Sequence, residues 1–266
     1  MNTLASIHPK AKIGANVRID PFAVIYEDVV IGDDTWIGAG AIIMDGARIG
    51  KNCKVFPGAV IAGIPQDLKF RGEYSTAEIG DNTTLREFVT VNRGTASKGK
   101  TVVGSNCLVM AYAHIAHDCS VGNNCIVGNS VGFAGEVVVE DWAIVSAMSG
   151  VHQFVRIGTH AFVQATSKVG QDVPPFVLAG RDPFRYMGLN VVGLRRRNFT
   201  SEKIEEIHEI YRYIYMRGMN RSQGVAAVER ELPSSPEREL IINFIKNSQR
   251  GIIKGPFSRQ DEDNEI

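Results

Sequence analysis

From Ile7 onward an aliphatic residue returns at every sixth position, through Ile13, Ile19 and so on to Ile61. The spacing lapses, resumes at Ile79, Leu85 and Val91, lapses again, and then runs unbroken from Val103 to Val169. Runs of ten, three and twelve make twenty-five hexads. Four residues after each aliphatic position comes a small or β-branched residue, as at Ala11, Val17, Ala23, Val29 and Thr35. Glycine often follows the aliphatic residue directly, as at Gly14, Gly32, Gly38 and Gly50. A period of six fits neither the 3.6 of an amphipathic helix nor the 2 of an alternating strand. It fits a parallel β-helix: three hexads close one triangular coil, the aliphatic and small positions point inward, and glycine, asparagine or aspartate turn the corners. Successive coils then stack at about 4.8 Å. A β-sandwich would place its turns every 8 to 12 residues instead.

The two lapses, GIPQDLKFRGEYSTAE and TASKGKT, read as loops inserted near residues 62–77 and 95–102. After Pro174 and Pro175 the composition changes. Ser201 can cap a helix carrying Ile204, Ile207, Ile210, Tyr211 and Ile214 and stopped by Gly218. A second helix is predicted from Ser222 to Leu232, and a third from Ser235, with proline just after it, to near Gly251. The expected organisation is therefore a mainly β protein: a β-helix domain over 1–175, an α-helical domain over 176–257, and a disordered acidic tail, SRQDEDNEI, over 258–266.

Composition narrows the class. The 266 residues include 29 Lys and Arg against 29 Asp and Glu, and 44% are hydrophobic. That balance excludes a disordered polyion. No stretch approaches the roughly 20 apolar residues of a spanning helix, and the opening MNTLASIHPKAKIG has no apolar core of a secretory signal. A cytoplasmic protein without stable membrane insertion is expected. The four cysteines, Cys53, Cys107, Cys119 and Cys125, all occupy the small inward position. Reduced structural thiols are expected there, with Cys107 and Cys125 stacked one coil apart.

Four of the six histidines, His114, His117, His152 and His160, fall at outward positions of the repeat. His8, His160 and His208 read as solvated surface residues. His117, Glu136 on the next coil, and His152 with Gln153 on the coil after that share roughly one face. A column of this kind is a polar site, and on spacing alone it competes with a zinc site of the γ-carbonic-anhydrase type, where histidines of neighbouring subunits share the metal.

AYAHIAHDCSVGNNC, with IPQDLKF upstream and VHQF, QDVPP and GLNVVGLRRRNF downstream, resembles the UDP-N-acetylglucosamine O-acyltransferase family over about residues 7–250. The resemblance implies a left-handed parallel β-helix of hexapeptide repeats, an exception to the usual right-handed crossover, and a homotrimer with its sites between subunits. It implies transfer of a 3-hydroxyacyl chain from the phosphopantetheine of acyl carrier protein to the 3-hydroxyl of UDP-N-acetylglucosamine, the opening step of lipid A biosynthesis. His117 matches the family's general base, Asp118 the carboxylate that orients it, and Gly135 the backbone N–H that holds the oxyanion. No cofactor, metal or covalent acyl-enzyme is required. Gln66, Asp67, Lys69, His114, Glu136, His152 and Gln153 match contacts to the sugar nucleotide or the pantetheine arm. Arg196 and Arg197 are expected near phosphates, with Asn190 nearby. Two positions depart from the pattern. Glu136 stands where the family commonly has histidine, and Ala165 where its chain-length ruler commonly has glycine.

The zero net charge conceals a division. Residues 1–175 carry 14 basic and 16 acidic side chains, residues 176–255 carry 14 and 9, and residues 256–266 carry 1 and 4. The helical part, at +5, concentrates Arg195, Arg196, Arg197, Lys203, Arg212, Arg217 and Arg221, a face suited to acidic acyl carrier protein. Nucleic acid is the other partner for basic clusters, but no interleaved aromatics or binding motif accompany these arginines. The rival functions are the later N-acyltransferase of the same pathway, whose nucleotide-binding domain precedes its repeats, the zinc enzyme, and a repeat scaffold without activity.

Overall fold

The computed structural model describes residues 4–256, so the tail expected over 258–266 and the last residue of the expected helical domain lie outside the described residues. Each of the twenty-five hexads forms a strand of two to four residues, from Ser6–Ile7 to Lys168–Val169. These strands are short because a corner follows every one. With two further strands that follow them, they stack into three sheets of nine, eight and ten strands, parallel except for one pairing at the end of the ten-stranded sheet. The register is one coil per eighteen residues, as in His114 beside Gly132, Gly132 beside Gly150, and Gly150 beside Lys168. The insertions leave the prism and return to the next coil: Val91 pairs with Ile61, thirty residues back, and Ile115 with Val91, twenty-four back.

Inward positions are buried from Ile19 onward, after a first coil whose Ile7 and Ile13 are only partly covered, as at Ile43, Val55, Ile61, Leu85, Ile115, Val127 and Val145. Each such side chain contributes on the order of 2 kcal/mol relative to exposure, and the sequence repeats the gain every six residues. All four cysteines are free and buried inside this stack. Burial pushes the Cys119 thiol up to about 12, far from thiolate chemistry. At the corner between the eight- and ten-stranded sheets, Asn16, Asp34, Asn52, Asn82, Asn106 and Asn124 all take left-handed φ between 53° and 58°, a region Asn and Asp tolerate well. Close approach explains the glycine before such residues: a Cβ on Gly122 would sit 2.3 Å from Asp141 Oδ1.

The chain stays with the prism beyond residue 176, where the α-helical domain was expected to begin. Strand Val177–Gly180 continues the ten-stranded sheet in parallel and Arg185–Leu189 turns back antiparallel against it. Val177 and Ala179 alternate inward and are completely buried, so period-two alternation rather than helical spacing governs this stretch. Helix α1 (Val191–Arg196) follows, capped by the Asn190 side chain, which accepts from the Gly193 N–H. Helix α2 (Ser201–Tyr215) is capped by Thr200 rather than Ser201, α3 (Arg221–Glu231) by Asn220 in a capping box with Gln223, and α4 (Pro236–Lys246) by Ser235 with proline at the first turn. The caps lie one or two residues before the positions expected for α2 and α3, because Thr and Asn supply the same acceptor. Tyr211 on α2 donates its hydroxyl to the Pro175 carbonyl at 2.6 Å, and the returning chain buries Ile252 and Ile253 beside Asp172. The helices are thereby seated on the last coil.

Candidate active site

Residues 116–118 turn the corner between the nine- and eight-stranded sheets, and Asp118 adopts φ 60° there. Its carboxylate is completely buried and heavily bonded. Oδ1 accepts from the Thr95 N–H at 3.0 Å and the Lys98 N–H at 3.2 Å, while Oδ2 accepts from the Thr95 hydroxyl at 2.6 Å. His117 Nδ1 lies 2.8 Å from the same Oδ2. Burial alone would push the Asp118 carboxyl up, but the bonds from Thr95, His117 and Lys98 outweigh it and hold the group below the usual carboxylate range. A buried, ionised acceptor on Nδ1 fixes the imidazole tautomer and leaves Nε2 free to take a proton.

Nε2 points outward, 3.9 Å from Asp67 Oδ2 on the first inserted loop. One coil along, the Gly135 backbone lies flat against the ring: a Cβ there would be 2.5 Å from His117 Cε1 and 2.6 Å from Nε2. Only glycine permits that approach. Gln66, His114, His117, Gly135 and His152 line a single cleft of about 660 Å³, which continues over Gly132, Gly150 and Lys168. The outward strand positions at Gly132 and Gly150 carry no side chain, and a Cβ on either would meet nothing within 4 Å. Internal packing does not demand these glycines; they keep a trough open. His114 Nδ1 is 2.7 Å from the Thr90 hydroxyl, and burial followed by the nearby His117 lowers its pKa, so this ring sits neutral beside the reacting position.

Other expected site residues lie elsewhere. The Glu136 carboxylate is engaged by the Ser97 hydroxyl at 3.1 Å and by Lys98 Nζ at 3.6 Å. Gln153 is half-buried at the next corner, and the exposed Lys69 uses its backbone N–H to bond Asp67 Oδ1 at 2.9 Å. Ala165 is exposed on the last complete coil, three residues before Lys168. Within one chain, Asn190, Arg196 and Arg197 stand away from the cleft. Asn190 donates to the His160 carbonyl, and Arg197 lies 5.0 Å over the Trp142 ring while donating to its carbonyl.

His160 is not the solvated residue expected. Its ring is stacked between Trp142 and Phe176 and meets Phe199 edge-on. Burial first, then Arg197, depresses its pKa to about 4. Within one chain, no three His, Cys, Asp or Glu side chains among the described residues form a group able to hold a metal ion. His117 instead spends Nδ1 on Asp118, and His152 directs Nδ1 to the Gln153 carbonyl.

The basic face is smaller than the count of cations implied. Lys203 pairs with Glu206 and Glu237, Arg212 with Glu205 and Glu209, and Arg217 with Glu209, while Arg221 donates to the Ile252 carbonyl. Arg195 and Arg196, exposed at the end of α1, are left facing solvent. Thr90, Thr95 and Lys98 were overlooked in the sequence. Thr95 and Lys98 lie in the second lapse of the repeat, and a polar loop inserted directly before the His117 coil was the signal that could have marked them.

Residues 172–253 match the family model described as UDP N-acetylglucosamine O-acyltransferase, domain 2, and residues 10–35, 28–63 and 100–135 match the bacterial transferase hexapeptide repeat. An acyl-[acyl-carrier-protein]–UDP-N-acetylglucosamine O-acyltransferase from Xylella fastidiosa is 42% identical over 96% of this chain and its own full length. The crystal structure of a UDP-N-acetylglucosamine acyltransferase from Bacteroides fragilis is 54% identical, covers 96% of this chain and 100% of that one, and superposes with a TM-score of 0.94. One from Francisella novicida is 37% identical, covering 98% and 97%, with a TM-score of 0.93.

Proposed function

Since the chain belongs to the UDP-N-acetylglucosamine O-acyltransferase family, we propose that its cleft transfers a 3-hydroxyacyl group from acyl carrier protein to the 3-hydroxyl of UDP-N-acetylglucosamine, at the start of lipid A synthesis, with His117 as general base. The observation that carries this reading is the His117–Asp118 pair at 2.8 Å, its carboxylate buried and its Nε2 facing the cleft beside Gly135. A sugar hydroxyl is a weak nucleophile until its proton leaves. His117 Nε2 takes that proton as the oxygen attacks the thioester carbonyl carbon. Asp118 stabilises the imidazolium formed, and the Gly135 N–H donates to the oxyanion. Collapse of the tetrahedral adduct breaks the C–S bond, and the proton on His117 passes to the departing thiolate. Atoms balance with neither a metal nor an acyl-enzyme.

Gln66 and Asp67 are placed to meet the sugar, His114 and His152 the neighbouring polar groups, and the open trough over Gly132 and Gly150 the acyl chain. At the corner between the ten- and nine-stranded sheets, Phe88 and Tyr112 stack on successive coils, and Phe22 and Met148 are exposed further along the same edge. Leu108, Ile126, Ile144 and Phe162 point out, half-buried, on the adjoining sheet face. An apolar strip of this kind calls for a protein partner, and we assign it to two further copies in a homotrimer, whose clefts Asn190, Lys69, Arg196, Arg197 and Ala165 of neighbouring chains would complete. The exposed Arg195 and Arg196 are the cations available to acyl carrier protein. A cytoplasmic site of action follows from these substrates, and among the described residues no helix is long and apolar enough to cross a membrane. The test is an acyl-transfer assay with UDP-N-acetylglucosamine and 3-hydroxyacyl carrier proteins of several lengths. His117→Ala is expected to lower turnover by a factor on the order of 10²–10⁴ with the assembly intact, and full activity in that variant would overturn the reading.

A further inference from the structure

The carboxylate that orients His117 is held largely by one loop. Of the side-chain oxygen contacts of Asp118, those from the Thr95 N–H, the Thr95 hydroxyl and the Lys98 N–H all come from residues 93–99, and His117 takes the remaining place. This loop adds six residues to the corner between Thr90–Asn92 and Lys100–Val103 and has no strand of its own. Backbone bonds fix its ends, from the Arg93 and Gly94 N–H to the Gly63 and Thr76 carbonyls and from the Thr76 N–H to the Gly99 carbonyl, while its middle, residues 95–98, is met by side chains that reach it. Glu73 on the first insertion accepts from the Ala96 N–H at 2.9 Å. Glu136 takes the other side, through Ser97 Oγ at 3.1 Å and Lys98 Nζ at 3.6 Å.

Glu136 is well placed for this. It lies one coil beyond Asp118, both corners have left-handed φ, 60° and 62°, and the Glu136 N–H donates to the His117 carbonyl at 3.0 Å. Lys98 ties the two corners together, since its ammonium pairs with the Glu136 carboxylate and also donates to the Asp118 backbone carbonyl at 3.2 Å. An exposed ion pair of this length contributes little to global stability, but only a fifth of the Glu136 side chain is exposed and the paired Ser97 bond adds direction.

We propose that Glu136 is a positioning residue that latches the 93–99 loop, keeping Thr95 and Lys98 on Asp118 and thereby Asp118 on His117, rather than a contact to the sugar nucleotide. The kinetic arm of its test rests on His117 being the base; the exchange arm does not. Amide hydrogen exchange over residues 93–99 of the intact protein is expected to quicken at least tenfold at Thr95 and Lys98 in Glu136→Ala, and unchanged exchange would overturn the latch whatever His117 does. In steady-state kinetics, kcat is expected to fall about tenfold in Glu136→Ala with KM for UDP-N-acetylglucosamine within twofold, and less in Glu136→Gln, which keeps a partner for Ser97. The double variant Ser97→Ala/Lys98→Met should reproduce the loss, and adding Glu136→Ala to it should lower kcat no further. A KM raised fivefold or more at unchanged kcat, or losses that multiply, would instead make Glu136 a direct substrate contact.

Discussion

Two corners of the same prism use the same backbone conformation for opposite ends. Between the eight- and ten-stranded sheets, the side chains before the left-handed residue bond to the neighbouring coil: Asp33 Oδ1 accepts from Ala15 N–H, Asp81 from Lys51, Asn123 from Ser105 and Asp141 from Asn123, all at 2.7 to 2.9 Å. This is a ladder of repeated, interchangeable bonds. Between the nine- and eight-stranded sheets, Asp118 and Glu136 occupy the left-handed position itself, and their carboxylates bond to an inserted loop and to His117. A hexad corner is thus purely structural when its side-chain oxygen is satisfied by the backbone of the neighbouring coil. It becomes a reactive corner when an insertion supplies the partners and leaves a histidine with one free nitrogen.

The contrast can be broken most sharply at glycine. Gly135→Ala places a methyl 2.5 Å from the His117 ring, and turnover is expected to fall at least a hundredfold while thermal unfolding changes little, since a side chain that can move absorbs the clash. Asp118→Asn should lower kcat by a similar or slightly smaller factor. The amide keeps the size of the carboxylate but loses the charge that stabilises the imidazolium, a loss measured by the pH–rate profile and single-turnover kinetics. At the structural corner, Gly104→Val brings a Cβ 2.5 Å from the Gly122 carbonyl oxygen, a rigid backbone neighbour. Denaturant unfolding is expected to show a loss of about 2 kcal/mol or more, in the range of overpacked sites, with kcat of the surviving folded protein unaltered. Asp81→Ala should cost about 1 kcal/mol and leave catalysis alone.

The smallest effect concerns His160 and sharpens the comparison with His117. Its folded pKa of about 4 lies below the ordinary 6.5, so the unfolded chain binds the proton more readily. The stabilising contribution is complete above pH 6.5 and is lost as pH falls towards 4. Full burial would make this about 3 kcal/mol, and the half-buried ring should show less. His160→Phe is expected to flatten the slope of melting temperature against pH between 4 and 6.5 relative to the parent protein, and an identical slope would assign the acid sensitivity elsewhere.

Much of the prism was legible in the chain. Twenty-five aliphatic positions at a spacing of six became twenty-five strands, because the pattern repeats the same burial and the same corner in every hexad, and local errors cannot shift the register. Helices α2 to α4 were legible from their periodicity and capping residues. The short α1 was not, since Val191, Val192 and Gly193 are poor helix formers held by the Asn190 cap and by packing of Leu194. The His117–Asp118 pair was legible as neighbours in sequence, but neither Thr95 nor Lys98 could be joined to them, being about twenty residues away on a loop without a periodic signal. Glu136 was read with the histidine face because it follows His117 by one coil. The single-residue difference between 135 and 136 sends its carboxylate to the loop instead.

The sequence by itself determined the coil, its inward core, the cysteines' place inside it and the corner on which His117 stands, since these depend on a period that every hexad restates. Only the tertiary structure decided which charges are free. Most of the helical cations turned out to be paired locally, His160 turned out to be enclosed by aromatic rings, and Glu136 turned out to be latched to Ser97 and Lys98. Charge and hydrogen bonding act over a few ångströms between residues far apart in the chain, so their outcome rests on where loops land, which no repeat encodes.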